Sequence, residues 1–242
     1  MSLFGNWFGT RESLAPGAPP PFPYELIALP GEQAEGRCLS LRKEGRGVFW
    51  PVILGGREEV ERLAAGIADP GTTPEIILEL ARTMDAEAIL AELRTEFEED
   101  MNPEEPEIWP SEAEAAGALV APFEILSGQP RRPAYIAKVP AEDSFAAPAW
   151  LRFGGWNECP IPERHVALFR RWQQRYGAEI ISVTGDIIEC TVERPPADRD
   201  AALKLAWEQY TYCPDIVWQG VGTVTGLGAT LLNNPYWYFW WD

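Results

Sequence analysis

The stretch Ala178-Glu-Ile-Ile-Ser-Val-Thr-Gly-Asp-Ile-Ile-Glu-Cys-Thr-Val-Glu193 holds two apolar, β-branched runs around the pair Gly185-Asp186. Such runs favour strands and Gly-Asp is a turn pair. The stretch reads as a hairpin of Ala178 to Thr184 and Ile187 to Glu193. Just before it, Val166, Phe169, Trp172 and Tyr176 recur at helical spacing. They predict a helix from Pro162 to Tyr176, ended by Gly177. Just after it, Pro195-Pro196 stops the second strand. Asp198 or Asp200 then starts a helix that runs to about Tyr212 and ends at Cys213-Pro214.

Ile216 to Trp218 is short and apolar, Gly220 to Leu232 reads as a closely packing small-residue helix, and Pro235 to Asp242 as a terminal strand. Upstream, Ala134 to Val139 is a predicted strand, Trp150 to Phe153 a further one, and Gly154 to Pro160 a tightly turning loop. Residues 130–242 are therefore expected to form an α+β domain on a mixed β-sheet.

The first part of the chain reads differently. Residues 11–23 are rich in Gly and Pro, which predicts no regular structure. Tyr24 to Leu29 reads as a strand, Glu32 to Lys43 as a helix stopped by Gly45, and Val48 to Leu54 as a second strand. Pro51 cannot donate to a ladder, so that strand is expected at an edge or with a bulge. Glu58 to Ile67 follows as a helix, with Val60, Leu63, Ala64 and Ile67 on one face. Thr72 or Thr73 caps a further helical stretch from Pro74 to about Phe97, broken near Asp85. This β-α-β-α-α order predicts a small α/β unit over 1–94.

The charge divides the chain in the same way. Of 242 residues, 37 are acidic and 20 basic, a net charge of -17. Through Ser127 there are 24 acids and 9 bases. The remainder has 13 acids, 11 bases and eight of the eleven tryptophans. Two units are therefore expected. They are joined through 95–129, which has ten acids, no Lys or Arg and four prolines, and which reads as a solvated linker or a loosely packed arm.

An excess of acid argues against nucleic-acid binding, which needs a basic footprint, and against an anionic membrane surface. No stretch reaches the length of a membrane span. Met1 to Gly9 lacks the basic start and apolar core of a secretory signal. Cys38, Cys159, Cys190 and Cys213 form no spaced framework, so reduced thiols in a cytoplasmic protein are expected.

Several separated motifs then fall in order: GGWNECP (154–160), His165, RRWQQRYGAE (170–179), Asp186, Glu189, RPP (194–196), EQYTYCPDIVWQG (208–220) and the final FWWD (239–242). Over about Ala134 to Asp242 they resemble the bacterial family numbered 4253 among domains of unknown function. The PVILGG strand (51–56) resembles the N-terminal region often seen with that domain. The resemblance implies a fold unit. It implies no activity and no catalytic residues.

Candidate chemistry comes from the residues themselves. Cys159 sits at the start of a predicted helix, six residues before the single histidine, His165, with Asn157 beside it. A helix N-terminus lowers a thiol pKa and a histidine can act as base, the elements of a thiol nucleophile. The alternative reading is that Cys159 packs a small apolar space and His165 the first helical turn.

Asp186, Glu189, Glu208 and Asp215, with Glu179, could converge on a divalent cation, although their spacing matches no metal loop. Cys159, His165, Cys190 and Cys213 have zinc-ligand chemistry without the paired short spacing. Gly220 to Gly228 lacks both the dinucleotide and the P-loop spacing, so close helix packing explains it better. No motif calls for a cofactor. Among the aromatics, Trp156, Tyr212, Trp218, Trp237 and Trp240 are candidates for a binding patch, against burial in the core.

Two functions are therefore expected to compete. One is an acidic binding protein, immunity-like toward a basic protein partner. The other is a hydrolase- or transferase-type enzyme gathering Asn157, Cys159, His165, Asp186, Glu189 and Glu208. The discriminator is whether these groups line one pocket or scatter through the core.

Overall fold

Six strands form one mixed sheet: β1 (Leu26–Leu29), β2 (Trp50–Gly55), β3 (Ala134–Val139), β4 (Ala178–Val183), β5 (Ile187–Val192) and β6 (Tyr236–Trp240). Their spatial order is β1-β3-β2-β4-β5-β6, with β2–β4 parallel and the other pairs antiparallel. The helices are α1 (Ala34–Glu44), α2 (Arg57–Ala68), α3 (Pro74–Thr83), α4 (Ala86–Glu96), α5 (Ala147–Leu151), α6 (Pro162–Tyr176), α7 (Arg199–Tyr212) and α8 (Val224–Leu231). The structure is a computed structural model that describes residues 18–68, 71–96, 108–110 and 117–242. Residues 11–17 of the Gly/Pro-rich start, and 97–107 and 111–116 of the acidic segment, lie outside the described residues.

The fold is α+β, as the element order predicts. β1 and β2 come from the acidic first part and the other four strands from the second. β3 inserts between β1 and β2, and β2 pairs with β4. The change in charge along the chain therefore coincides with no break in the sheet.

The hairpin forms at Gly185-Asp186, where Thr184 donates its N–H to the Ile187 carbonyl. Gly177 ends α6 in the left-handed region at φ 64°. Thr73 caps α3 by accepting from Ile76 N, and Asp198 caps α7 by accepting from Ala201 N. Each closes an otherwise unsatisfied donor of the first turn.

Three expectations are corrected. β2 is an interior strand although it contains Pro51. The missing N–H is tolerated because the β2–β4 ladder consists of the one pair Ile53–Ser182. Beside that pair, the Trp50 indole N–H bonds the Ile180 carbonyl at 2.8 Å. The bulge in β2 falls between Ile53 and Gly55, beyond Pro51. Trp150 to Leu151 close α5 rather than starting a strand: Pro148 sits in its first turn and Arg152 leaves it in the left-handed region at φ 48°. The Gly220–Leu232 helix is shorter than expected. Ile216–Val221 forms a π-helical turn, and α8 starts only at Val224, capped by Thr223.

The sheet has a thick and a thin side. On the thick side, side chains of β2 to β6, among them Val52, Ala137, Ile180, Cys190, Trp237 and Phe239, pack with α2 and α4 to α8 in one apolar cluster. On the thin side, Ala34, Cys38 and Leu41 of α1, with Leu119 and Ala121, cover Ile53, Ile136 and Ile181. Among the described residues no helix is long and apolar enough to cross a membrane.

Candidate functional site

The loop joining α5 to α6 turns sharply. Arg152, Gly154, Gly155 and Asn157 all have positive φ, at 48°, 112°, 87° and 43°. Gly154 is required there: a Cβ would lie 2.0 Å from the Pro160 carbonyl oxygen and 2.6 Å from His165 Nε2. Gly155 N–H donates to the Pro160 carbonyl at 3.0 Å, and Cys159 N–H to the Trp156 carbonyl at 2.8 Å. Asn157 then reaches across the molecule, its Nδ2 donating to the Asp242 carbonyl at 2.6 Å. The 154–160 and 239–242 motifs thus meet.

Behind this loop lies the expected thiol–imidazole pair. Cys159 Sγ is 3.5 Å from His165 Nε2, and His165 Nδ1 is 2.6 Å from the Tyr212 hydroxyl. Sequence reasoning found the first contact, between residues six apart. It missed the role of Tyr212, 47 residues further on at the end of α7. Phe153 and Trp241 pack on the imidazole with ring centroids 5.3 and 5.5 Å away.

This enclosure reverses the expected chemistry. His165 and Tyr212 are fully buried and Cys159 nearly so. Burial, with Cys213 nearby, pushes the Cys159 thiol well above its ordinary range, so the helix N-terminus does not make it a thiolate. Burial also drives the imidazole down to about 3. At neutral pH both groups are uncharged. The neutral ring fits its partners as one acceptor and one donor: Tyr212 O–H donates to Nδ1, and Nε2–H faces Cys159 Sγ and the Pro160 carbonyl.

The carboxylates scatter, each held by its own partners. Asp186 accepts from Thr184 Oγ1 at 3.1 Å and lies 3.8 Å from Arg62. Glu189 points to the thin side, where its two oxygens accept from Val120 N at 2.5 Å and Ala121 N at 3.1 Å. Its carboxyl is raised by burial. Glu208 accepts from Trp172 Nε1, Arg171 and Arg175. Asp215 accepts from Gln219 Nε2 and Asp242 N. Glu179 pairs with Arg42 at 2.7 Å.

Among the described residues no three His, Cys, Asp or Glu side chains are placed to hold a metal ion, which corrects the carboxylate and zinc expectations alike. Cys190 is buried in the sheet, and Cys213 Sγ donates to the Trp240 carbonyl at 3.0 Å. In the glycine run, Gly228 of α8 faces α7: a Cβ there would lie 3.3 Å from the Trp109 ring and at ordinary van der Waals distance, 3.5 Å, from Leu203 Cα.

The candidate binding aromatics divide. Tyr212 and Trp237 are sealed in the core, which removes them from any binding patch. Trp218 is 41% exposed. Trp156 and Trp240 are half-buried and line one open cleft of about 640 Å3, together with Phe153 and Trp241. Arg62, Arg152, Asp186 and Asp242 complete its rim. An apolar, aromatic hollow with a few charged groups at its edge has the character of a binding site.

No curated protein and no solved structure matches the chain. A family model does match residues 135–242, and over this part the chain is similar to the family described as Domain of unknown function (DUF4253).

Proposed function

We propose that the chain is a non-catalytic binding protein that engages a basic protein partner. An immunity-like protein that neutralises such a partner is one form of this role. The observation that carries the reading is the aromatic cleft: Trp156 and Trp240 come from stretches 84 residues apart and line one accessible hollow, while Cys159 and His165 are closed off behind it. Tryptophans in such hollows act as binding anchors. The net charge of -17 supports a basic partner, because charge of one sign steers encounter with the other.

The test is affinity capture from the source cells with the wild-type chain and a Trp156→Ala/Trp240→Ala double variant. A basic protein is expected to bind the wild type. Raising the salt from about 0.05 to about 0.5 M should release it, since screening shortens the Debye length to a few ångströms. The double variant should bind about tenfold or more weakly, as for an anchor residue. Recovery of no specific protein, or of one indifferent to both salt and substitutions, would sink the proposal.

The enzyme reading rests on the Cys159–His165 contact and has its own check. All four cysteines are buried, so thiol reagents are expected to modify the native protein only as fast as it unfolds. Rapid labelling of Cys159, with an apparent pKa below about 8.5 and abolished by His165→Ala, would restore thiol catalysis.

A further inference from the structure

A second cleft, of about 610 Å3, opens between α4, α6 and α7. Three helical stripes line it. Glu87, Leu90, Ala91 and Arg94 come from α4, Arg171 and Arg175 from α6, and Lys204, Trp207, Glu208 and Thr211 from α7. Their spacings of three, four and seven residues place each stripe on one helix face.

The charge of this cleft runs against that of the chain. Four of the 20 Lys and Arg residues meet here with two carboxylates, in a protein of net charge -17. Part of the cluster staples the helices: Arg171 bridges Glu87 at 2.6 Å and Glu208 at 3.3 Å, and Arg175 reaches Glu208 at 3.1 Å. That network uses both acids. Arg94 and Lys204 are surplus to it and form no ion pair among the described residues. The Arg94 guanidinium lies over the Trp207 ring, 5.9 Å from its centroid. In the same lining, Thr211 is buried and its Oγ1 has no hydrogen-bond partner among the described residues, nor does the buried Arg171 Nε.

We infer that this cleft binds a small organic phosphate. A phosphoryl dianion matches the two uncommitted cations, and guanidinium and ammonium groups are its usual donors. The volume far exceeds one phosphate group, and Trp207 and Leu90 give an apolar wall for an organic body. This site is separate from the Trp156–Trp240 cleft, so it stands or falls independently of the proposed partner.

The experiment is calorimetric titration of the full chain with inorganic phosphate and, separately, phenyl phosphate. Saturable binding of both is expected, tighter for phenyl phosphate. Arg94→Gln and Lys204→Gln should each weaken it by about tenfold, as expected for loss of one charge-assisted contact. Neither residue belongs to the stapling network, so both variants should keep the wild-type circular dichroism spectrum. Arg62→Gln, in the other cleft, should bind like the wild type. Equal affinity for the two probes would restrict the site to the phosphate group alone and overturn the organic-ligand part. An absence of saturable heat, or binding unchanged by Arg94→Gln and Lys204→Gln, would mean that the cluster only ties helices together.

Discussion

Acidifying the protein from neutral pH to about pH 4 is expected to remove about 3 kcal/mol of stability through His165 alone. The imidazole has an ordinary value of 6.5 and is driven down to about 3 in the fold. Between those values the unfolded chain binds a proton that the native chain refuses. Stability therefore falls as the pH drops through that window. Above 6.5 neither state is protonated and the stability is fully present; below about 3 both are protonated and the loss levels off. Burial is the cause, since a cation among Phe153, Tyr212 and Trp241 would lose its hydration and gain no anion.

The chain has one histidine, so its imidazole proton resonances report this group without ambiguity. In the native protein they should not titrate between about pH 7 and pH 4.5, as a ring shifted this far stays neutral. Titration near the ordinary value would show that His165 reaches water, and would reopen the Cys159–His165 pair as chemistry. Glu189 acts in the opposite direction. Its raised carboxyl is easier to bury when protonated, so its contribution grows as the pH falls toward 4.5. The resonance reads His165 apart from that term, whereas a bulk stability curve sums both.

The legible parts of the fold were those set by short-range signals. Apolar, β-branched runs around a Gly-Asp turn gave the β4–β5 hairpin, and helical spacing closed by Gly177 gave α6. Trp150 to Phe153 misled because four apolar residues carry no period, and the deciding feature, Pro148 in a helical first turn, lies just before them. Pro51 misled because the rule about edge strands assumes a full ladder on both sides, and β2 has one pair with β4. Charge asymmetry could not reveal that β3 inserts between β1 and β2, since composition carries no pairing information.

The site was legible to the same extent. Cys159 and His165 were linked by their closeness in sequence, and they do touch. Their protonation states were misjudged, because a helix N-terminus is a modest influence beside full burial, and burial is a property of the whole core. The basic cleft was invisible because its four cations come from three helices, in a chain whose overall charge points the other way.

Trp172→Ala is expected to cost about 3–5 kcal/mol, the range for truncating a buried large aromatic. The ring is fully buried. It stacks on Phe239 at 5.6 Å and meets Phe169, Tyr212 and Trp237 edge-on at 5.1 to 5.9 Å, so it joins α6 to α7 and β6. These neighbours are themselves rings held in place by others, so they cannot collapse readily into the void. The check is urea unfolding followed by circular dichroism. A loss under about 1 kcal/mol would mean that the aromatic cluster repacks freely.

Trp172→Phe separates two roles of the same side chain. It keeps an aromatic ring in the core while removing the indole N–H that donates to Glu208 at 3.0 Å, together with part of the ring system. Its cost should be nearer 1–2 kcal/mol, roughly one hydrogen bond plus a small volume change. Glu208 is the carboxylate that holds Arg171 and Arg175 at the wall of the basic cleft. Core and cleft therefore share one contact, and the phenylalanine variant is expected to stay folded while its phosphate affinity changes. An unchanged affinity would show that Arg171 and Arg175 keep their positions without the core's help.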